Sequence, residues 1–411
     1  MNKEEAQAVE HLRKENRDLL TKKYDTDYNI LRWAQGYGFN MQEASAQLRR
    51  HLKFRRFYDI DNSDQLEEHD ILKQYFPIGL VGETGQDNRL LVIESAGRID
   101  LLGILKSVQL SDFLIHRFKL QEKMLKAMRE LEERNGKQAS VIYILDLDGL
   151  KFDTSLLSIA TGPYRILWTA VYTNYPEWIS TMFIVNAPPF MSLIWKAVAP
   201  LLPERTRNKV RICSTNSDWK TQIQKYAKPE NIPAHWGGEL YDANGDGIDR
   251  LIIPFDPIPH DLYWEPDEKA PGLSELTYSL IPAGKSKIIT YVVSSNEPIY
   301  LVLNRFCDRT FGTAIYYSRD TAAVDSALED MIDWFPEFDY PGMPTVDYLR
   351  VKTLGPGVFK VKFGNEQNEG KSALRMTYGA RLEGRNQFPR KKLELGNIHV
   401  DTRSQMLKKL N

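Results

Sequence analysis

The chain has 411 residues, 42% of them hydrophobic and 27% charged, with 54 Lys and Arg against 55 Asp and Glu. A formal net charge of -1 gives no overall field to draw it to nucleic acid or an acidic membrane, so any anion site must be local. Two cysteines, Cys213 and Cys307, exclude a disulfide framework and suit a reducing compartment.

The opening stretch, MNKEEAQAVEHLRKENRDLL, lacks the apolar run of a secretory signal. Residues 1–75 read as helices, and QEASAQLRRHLKFRRFYDI sets Ala44, Leu48, Leu52 and Phe57 near one face with arginines on the others. From 76 to 240 the pattern alternates. Short β-branched runs at RLLVIES, SVIYILDL, TMFIVNA and KVRICS read as buried strands of a mainly parallel sheet. Helices are expected between them. One starts at an N-cap on Ser111, carries Leu114, Phe118, Leu125 and Met128 on one stripe, and stops at Asn135-Gly136. A second covers TSLLSIATGPYRILWTAVYTNYP. Strand–helix alternation of this kind predicts an α/β domain.

Residues 241–275 are rich in Pro, Gly and Asp and read as a linker. Regularly spaced short strands over 276–386 predict an antiparallel β-sandwich, and 387–411 reads as a weakly ordered tail. DANGDG, at 242–247, imitates a calcium loop, but Ile253 stands where the twelfth-position Glu would be, so a linker turn is expected. The 7 histidines show no metal-ligand spacing, and there is no G-x-S-x-G, H-E-x-x-H or P-loop. No enzyme activity, metal or cofactor is expected.

One segment needs an explanation. From Phe190 to Leu202 the only charge is Lys196, Pro200 interrupts the run, and Arg205, Thr206, Arg207 and Lys209 follow. An all-round apolar helix is normally buried, and this one is too short to cross a membrane. A short helix over 203–209 would bring Thr206 and Lys209 to one face, where a hydroxyl and an ammonium suit a phosphate. Upstream, NYPEW places Glu177 just before the next strand.

The order of ILRWAQGYGFNMQEASAQLRRHLKFRR, VIYILDLDGL, NYPE, FIVNAPPF and PENIPAHWGGEL resembles the CRAL-TRIO lipid-binding family, which includes phosphatidylinositol/phosphatidylcholine transfer proteins. The β-rich part is similar to a GOLD (Golgi dynamics) sandwich, the layout of the supernatant protein factor group. The resemblance implies that the apolar helix is a gate over a lipid cavity floored by the sheet, with Phe190, Leu193, Ile194, Val198 and Leu201 meeting lipid tails or bilayer. It implies a headgroup site of Arg55, Glu177, Thr206 and Lys209. Val141 and Tyr143 stand where choline-lipid binders carry hydroxyls, which argues against a choline lipid.

The expected function is therefore to bind one hydrophobic lipid, of phosphatidylinositol type, and to transfer or present it at membranes. Its partners would be that phospholipid or another hydrophobic lipid, a transient membrane surface, and a protein partner through the GOLD sandwich, with no nucleic acid. The expected location is cytoplasmic and peripheral, at Golgi or endosomal membranes. A lipid-regulated adaptor, holding a tocopherol- or squalene-like isoprenoid and assembling proteins through its GOLD sandwich, is the alternative.

Overall fold

A computed structural model describes residues 1–151, 170–202, 204–242, 245, 247, 257–265, 276–297, 299–343, 345–353, 355–366, 373–384 and 400–401. The chain divides into two compact units. The first is Met1–Leu52, Ile60–Val108 and Asp112–Tyr263; the second is Lys53–Asp59, Gln109–Ser111 and Trp264–Asn411.

The first unit begins with helices α1 (Lys3–Glu15), α2 (Asp27–Gly36) and most of α3 (Met41–Tyr58). The α1 terminus is a capping box: Asn2 accepts from the Glu5 amide while the Glu5 carboxylate accepts from the Asn2 amide. Thr26 caps α2 through the Asn29 amide. After α4 (Asp70–Tyr75) comes a five-stranded sheet in order β1–β2–β3–β4–β5. Its strands are Ile78–Glu83, Arg89–Glu94, Ser140–Asp146, Ile179–Ala187 and Val210–Ser214. Strands β2 to β5 run parallel, and β1 pairs antiparallel with β2. The α/β reading thus holds for a mainly parallel sheet, with one antiparallel edge.

Between β2 and β3 lie α5 (Leu101–Ser107) and α6 (Leu110–Asn135). Gly136, at φ 64°, supplies the left-handed stop that Asn135-Gly136 predicted. Ser111 is not the N-cap: α6 already begins at Leu110, and Ser111 sits inside its first turn. Of the helix expected over 154–176, residues 152–169 lie outside the described residues, and 170–174 are helical. One sheet face packs Leu91, Ile93, Ile142, Ile144, Phe183 and Val185 against Trp219, Ile223 and Trp236. Trp236 donates its indole N–H to Asp146 at 2.9 Å, so this polar edge is satisfied inside the core.

The second unit holds two antiparallel sheets, ordered β10–β9–β12–β7–β14 and β11–β8–β13–β6. The strands are β6 Thr277–Ile281, β7 Ser286–Val293, β8 Ile299–Cys307, β9 Phe311–Ser318 and β10 Ile332–Tyr340. The others are β11 Asp347–Lys352, β12 Gly357–Gly364, β13 Leu374–Gly384 and β14 Val400–Asp401. Phe363 of one sheet meets Tyr378 of the other at 5.7 Å between ring centres, as expected of a sandwich core. The last turn of α3 belongs to this unit: Phe54, Phe57 and Tyr58 pack around Phe335 at 5.2, 4.5 and 6.0 Å. Fully buried Arg305 is paired with Asp347, whose carboxylate also accepts the amide and hydroxyl of Ser111, each at 2.8 Å.

Candidate functional site

The turn after residues 170–174 is held from several sides. Asn174 donates to the Ala170 carbonyl at 2.8 Å, and its Oδ1 lies 3.1 Å from His51 Nδ1. Tyr175 donates its hydroxyl to Glu122 at 2.8 Å. Gly36, at the end of α2, allows a close approach: a Cβ there would fall 2.7 Å from Pro176 Cβ. The chain then passes through Glu177 at φ 54°, a left-handed conformation that costs energy for any residue with a Cβ.

That turn delivers the Glu177 carboxylate to two cations. Lys209 Nζ donates to Oε2 at 2.6 Å, and Arg205 Nε stands 3.5 Å from Oε1. Arg205 also lies over the Tyr37 ring, 4.9 Å from its centre, which fixes the guanidinium plane. Helix α8 spans only Glu204–Arg207, shorter than expected, and Lys209 follows it with its amide bonded to the Thr206 carbonyl at 3.1 Å. Thr206 is buried. Glu177, Thr206 and Lys209 line one cleft with Arg205, Tyr172 and Trp178. The cleft measures about 10 Å³, room for about one water. It is a closed cluster whose three charges sum to one positive.

Arg55, the fourth expected headgroup residue, is buried, belongs to the second unit and is not among the residues lining this cleft. Arg205 is the residue that sequence reasoning overlooks. A cation in an ERTRNK run reads as a solvated charge, and only the fold brings Glu177 and Tyr37 to it.

The apolar segment forms α7 (Met191–Val198) followed by a 3-10 turn, Ala199–Leu201, where Pro200 interrupts the helix. Met191 and Ile194 are buried, Phe190 and Val198 are half-buried, and Leu193 is 55% exposed. Leu193 and Ile194, about 100° apart around the helix axis, therefore meet different surroundings, one solvent and the other the protein interior. The Leu201 side chain lies outside the described residues.

The other sheet face carries a buried polar group. Glu94, at the end of an apolar strand, accepts from the Tyr143 hydroxyl, and Arg117 stands 3.9 Å away. A buried carboxylate needs such partners. The signal was a lone Glu closing RLLVIE. Among the described residues, no three His, Cys, Asp or Glu are grouped to hold a metal ion, and no helix is long and apolar enough to cross a membrane.

A helix-flanked, mainly parallel sheet followed by an antiparallel sandwich defines the class of protein that comparison with known families then identifies. A CRAL/TRIO domain model matches residues 73–238, and the model of an F28H7_8_C-like C-terminal domain matches 262–368. The chain is 30% identical to the CRAL-TRIO domain-containing protein F28H7.8 of Caenorhabditis elegans over 364 residues, 87% of this chain and 86% of that protein. It therefore belongs to the CRAL-TRIO domain-containing family, whose members typically bind or transfer lipids. Protein ctg-1 of the same organism is 24% identical over 54% of this chain and 57% of its own length. Protein real-time of Anopheles gambiae is 29% identical over 74% of this chain and 41% of its own length. The crystal structure of Sfh5 aligns with a TM-score of 0.46 and 16% identity, covering 62% of this chain and 93% of Sfh5.

Proposed function

We propose that the first unit holds one lipid of phosphatidylinositol type behind α7 and exchanges it with membranes from the cytoplasm, without catalysing a reaction. The GOLD-type sandwich serves a protein partner in the same proposal. The observation that carries the headgroup assignment is the convergence of Glu177, Thr206, Arg205 and Lys209 on one cleft.

The cluster's chemistry supports an exchange of partners. A phosphodiester arriving at Lys209 replaces Glu177 as its anion, and the freed carboxylate accepts inositol hydroxyls. Arg205 stays in place through Tyr37, and Thr206 is available to donate its hydroxyl. The closed cleft opens only as the Lys209–Glu177 pair separates, which a neutral ligand has no means to offset.

Tail burial supports exchange in either direction. About 30 tail methylenes at ~0.8 kcal/mol each are worth ~24 kcal/mol, whether they leave water for a bilayer or for a dry cavity. The difference between the two hosts is small, so headgroup contacts of a few kcal/mol decide which lipid is carried.

The test is competition between phosphatidylinositol and a neutral isoprenoid such as squalene. A charge-assisted hydrogen bond contributes roughly 1.5–3 kcal/mol, so Lys209→Ala should weaken phosphatidylinositol binding at least about tenfold and leave squalene binding nearly unchanged. Glu177→Ala should show the same selectivity. Equal losses for both ligands would mean that the cluster only holds the fold.

A further inference from the structure

The edge strand β10 slips register twice against β9, once between Asp333 and Phe335 and again between Phe335 and Phe338. Trp334 is the extra residue of the first irregularity. Bulges at sheet edges re-aim side chains, and here the indole lies under a cation. The Arg56 guanidinium sits 4.6 Å above the Trp334 ring and donates Nη2 to the Asp333 carbonyl at 2.8 Å. Stacked on one side and bonded on the other, it is a pre-positioned donor.

Arg56 and Trp334 open onto a cleft of about 370 Å³ within the second unit, in the range of roughly 300–1,000 Å³ common to small-ligand sites. Tyr317, Phe57 and Ile332 supply apolar lining. Its charged residues are Arg56, Arg319, Lys352 and Asp59, an excess of two positive charges on a chain whose net charge is -1. Lys352 Nζ lies 3.8 Å from Asp59, and the two side chains are 38% and 47% exposed, so their pairing is weak. Arg319 is exposed and has no carboxylate partner among the described residues. None of these side chains takes part in the lipid site proposed for the first unit.

We infer that this cleft binds a phosphate monoester. Such a group carries about -1.5 to -2 charges near neutral pH and three acceptor oxygens. It matches the two excess positive charges better than a carboxylate, which brings only one negative charge. Arg56 is the fixed donor, Lys352 and Arg319 close on the remaining oxygens, and Ile332 with the rims of Tyr317 and Trp334 covers the uncharged body. Two sources present the same chemistry: the headgroup of a phosphorylated inositol lipid in a bilayer, and a soluble inositol phosphate.

The experiment titrates the full chain with myo-inositol 4-phosphate in a calorimeter, with myo-inositol as the uncharged control. We expect Arg319→Ala and Lys352→Ala each to weaken binding about tenfold, and myo-inositol not to bind. Arg319 is exposed and the Lys352 side chain is 38% exposed, so melting temperatures should not move. Lys285→Ala, an exposed charge outside the cleft, should bind as the wild type does. Sedimentation with phosphatidylcholine vesicles carrying a few per cent phosphatidylinositol 4-phosphate then distinguishes the sources. Loss of vesicle binding in the Arg319 and Lys352 variants supports a lipid headgroup, and loss of soluble binding alone supports a soluble ester. No binding of myo-inositol 4-phosphate, or binding that both variants retain in full, would overturn the inference.

Discussion

Leu193→Asp separates membrane contact from core packing better than any other change in α7. Ile194 is only 7% exposed, so a charge there would be buried without a partner and would report on stability alone. Leu193, one residue away, is 55% exposed. Charges placed on water-facing positions usually shift stability by no more than ~0.5 kcal/mol. Fully burying a leucine is worth about 2 kcal/mol, so the exposed half would gain about 1 kcal/mol on entering a bilayer. Losing that gain alone slows a membrane-limited step roughly fivefold. Carrying the aspartate toward the bilayer centre would add up to ~2.5–3.5 kcal/mol. The assay is movement of a fluorescent phospholipid between vesicles, with thermal unfolding followed in parallel. We expect transfer to fall at least about fivefold at an unchanged melting temperature. Unchanged transfer by a stably folded variant would show that this face of α7 never meets lipid.

Two other perturbations probe each unit separately. Asp347→Ala leaves the fully buried Arg305 charge uncompensated and strips Ser111 of its acceptor; it should cost about 3–5 kcal/mol in urea denaturation, and a smaller loss would mean that water reaches the pair. Burial holds the His116 pKa below its ordinary 6.5, against the opposing pull of Glu68 2.6 Å away. Between the lowered value and 6.5 the unfolded chain binds more protons than the folded one, so stability is full above about pH 6.5 and falls as acid is added. The melting temperature should therefore drop from pH 7 to pH 5.5, and His116→Asn should flatten that slope; an equal slope in both proteins would assign the acid sensitivity to other groups.

How far these features were legible follows from how local their causes are. Strands β2 to β4 announce themselves as β-branched runs because an interior parallel strand is buried on both faces. Strand β1 does not, since Gly79 and Gly82 dilute IGLVGE and leave no alternation to read. KVRICS, expected to be buried, forms the edge strand β5, in which only Cys213 is buried and Ile212 is 42% exposed. The stop at Gly136 is local and readable. The partner of Ser111 is Asp347, far along the chain, and no helix signal could name it. Thr206 and Lys209 were legible as a spaced pair, and NYPE marked Glu177, but the pairing of Glu177 with Lys209 and Arg205 was not. Phe57 was legible on the apolar face of α3, whereas Phe335, around which Phe54, Phe57 and Tyr58 pack, lies in another part of the sequence. The aim of Trp334 was hidden for a different reason: it depends on a register slip, a property of two strands together.

The most direct test of the proposed function is mass spectrometry of the lipid extracted from the purified full chain, quantified per mole of protein after exposure to mixed phosphatidylinositol and phosphatidylcholine vesicles. We expect close to one phosphatidylinositol per chain in the wild type and a marked loss of that lipid in Lys209→Ala. A well-folded chain that emerges from those vesicles with no lipid would contradict lipid binding itself, and one loaded with phosphatidylcholine would contradict the role given to Glu177, Thr206 and Lys209.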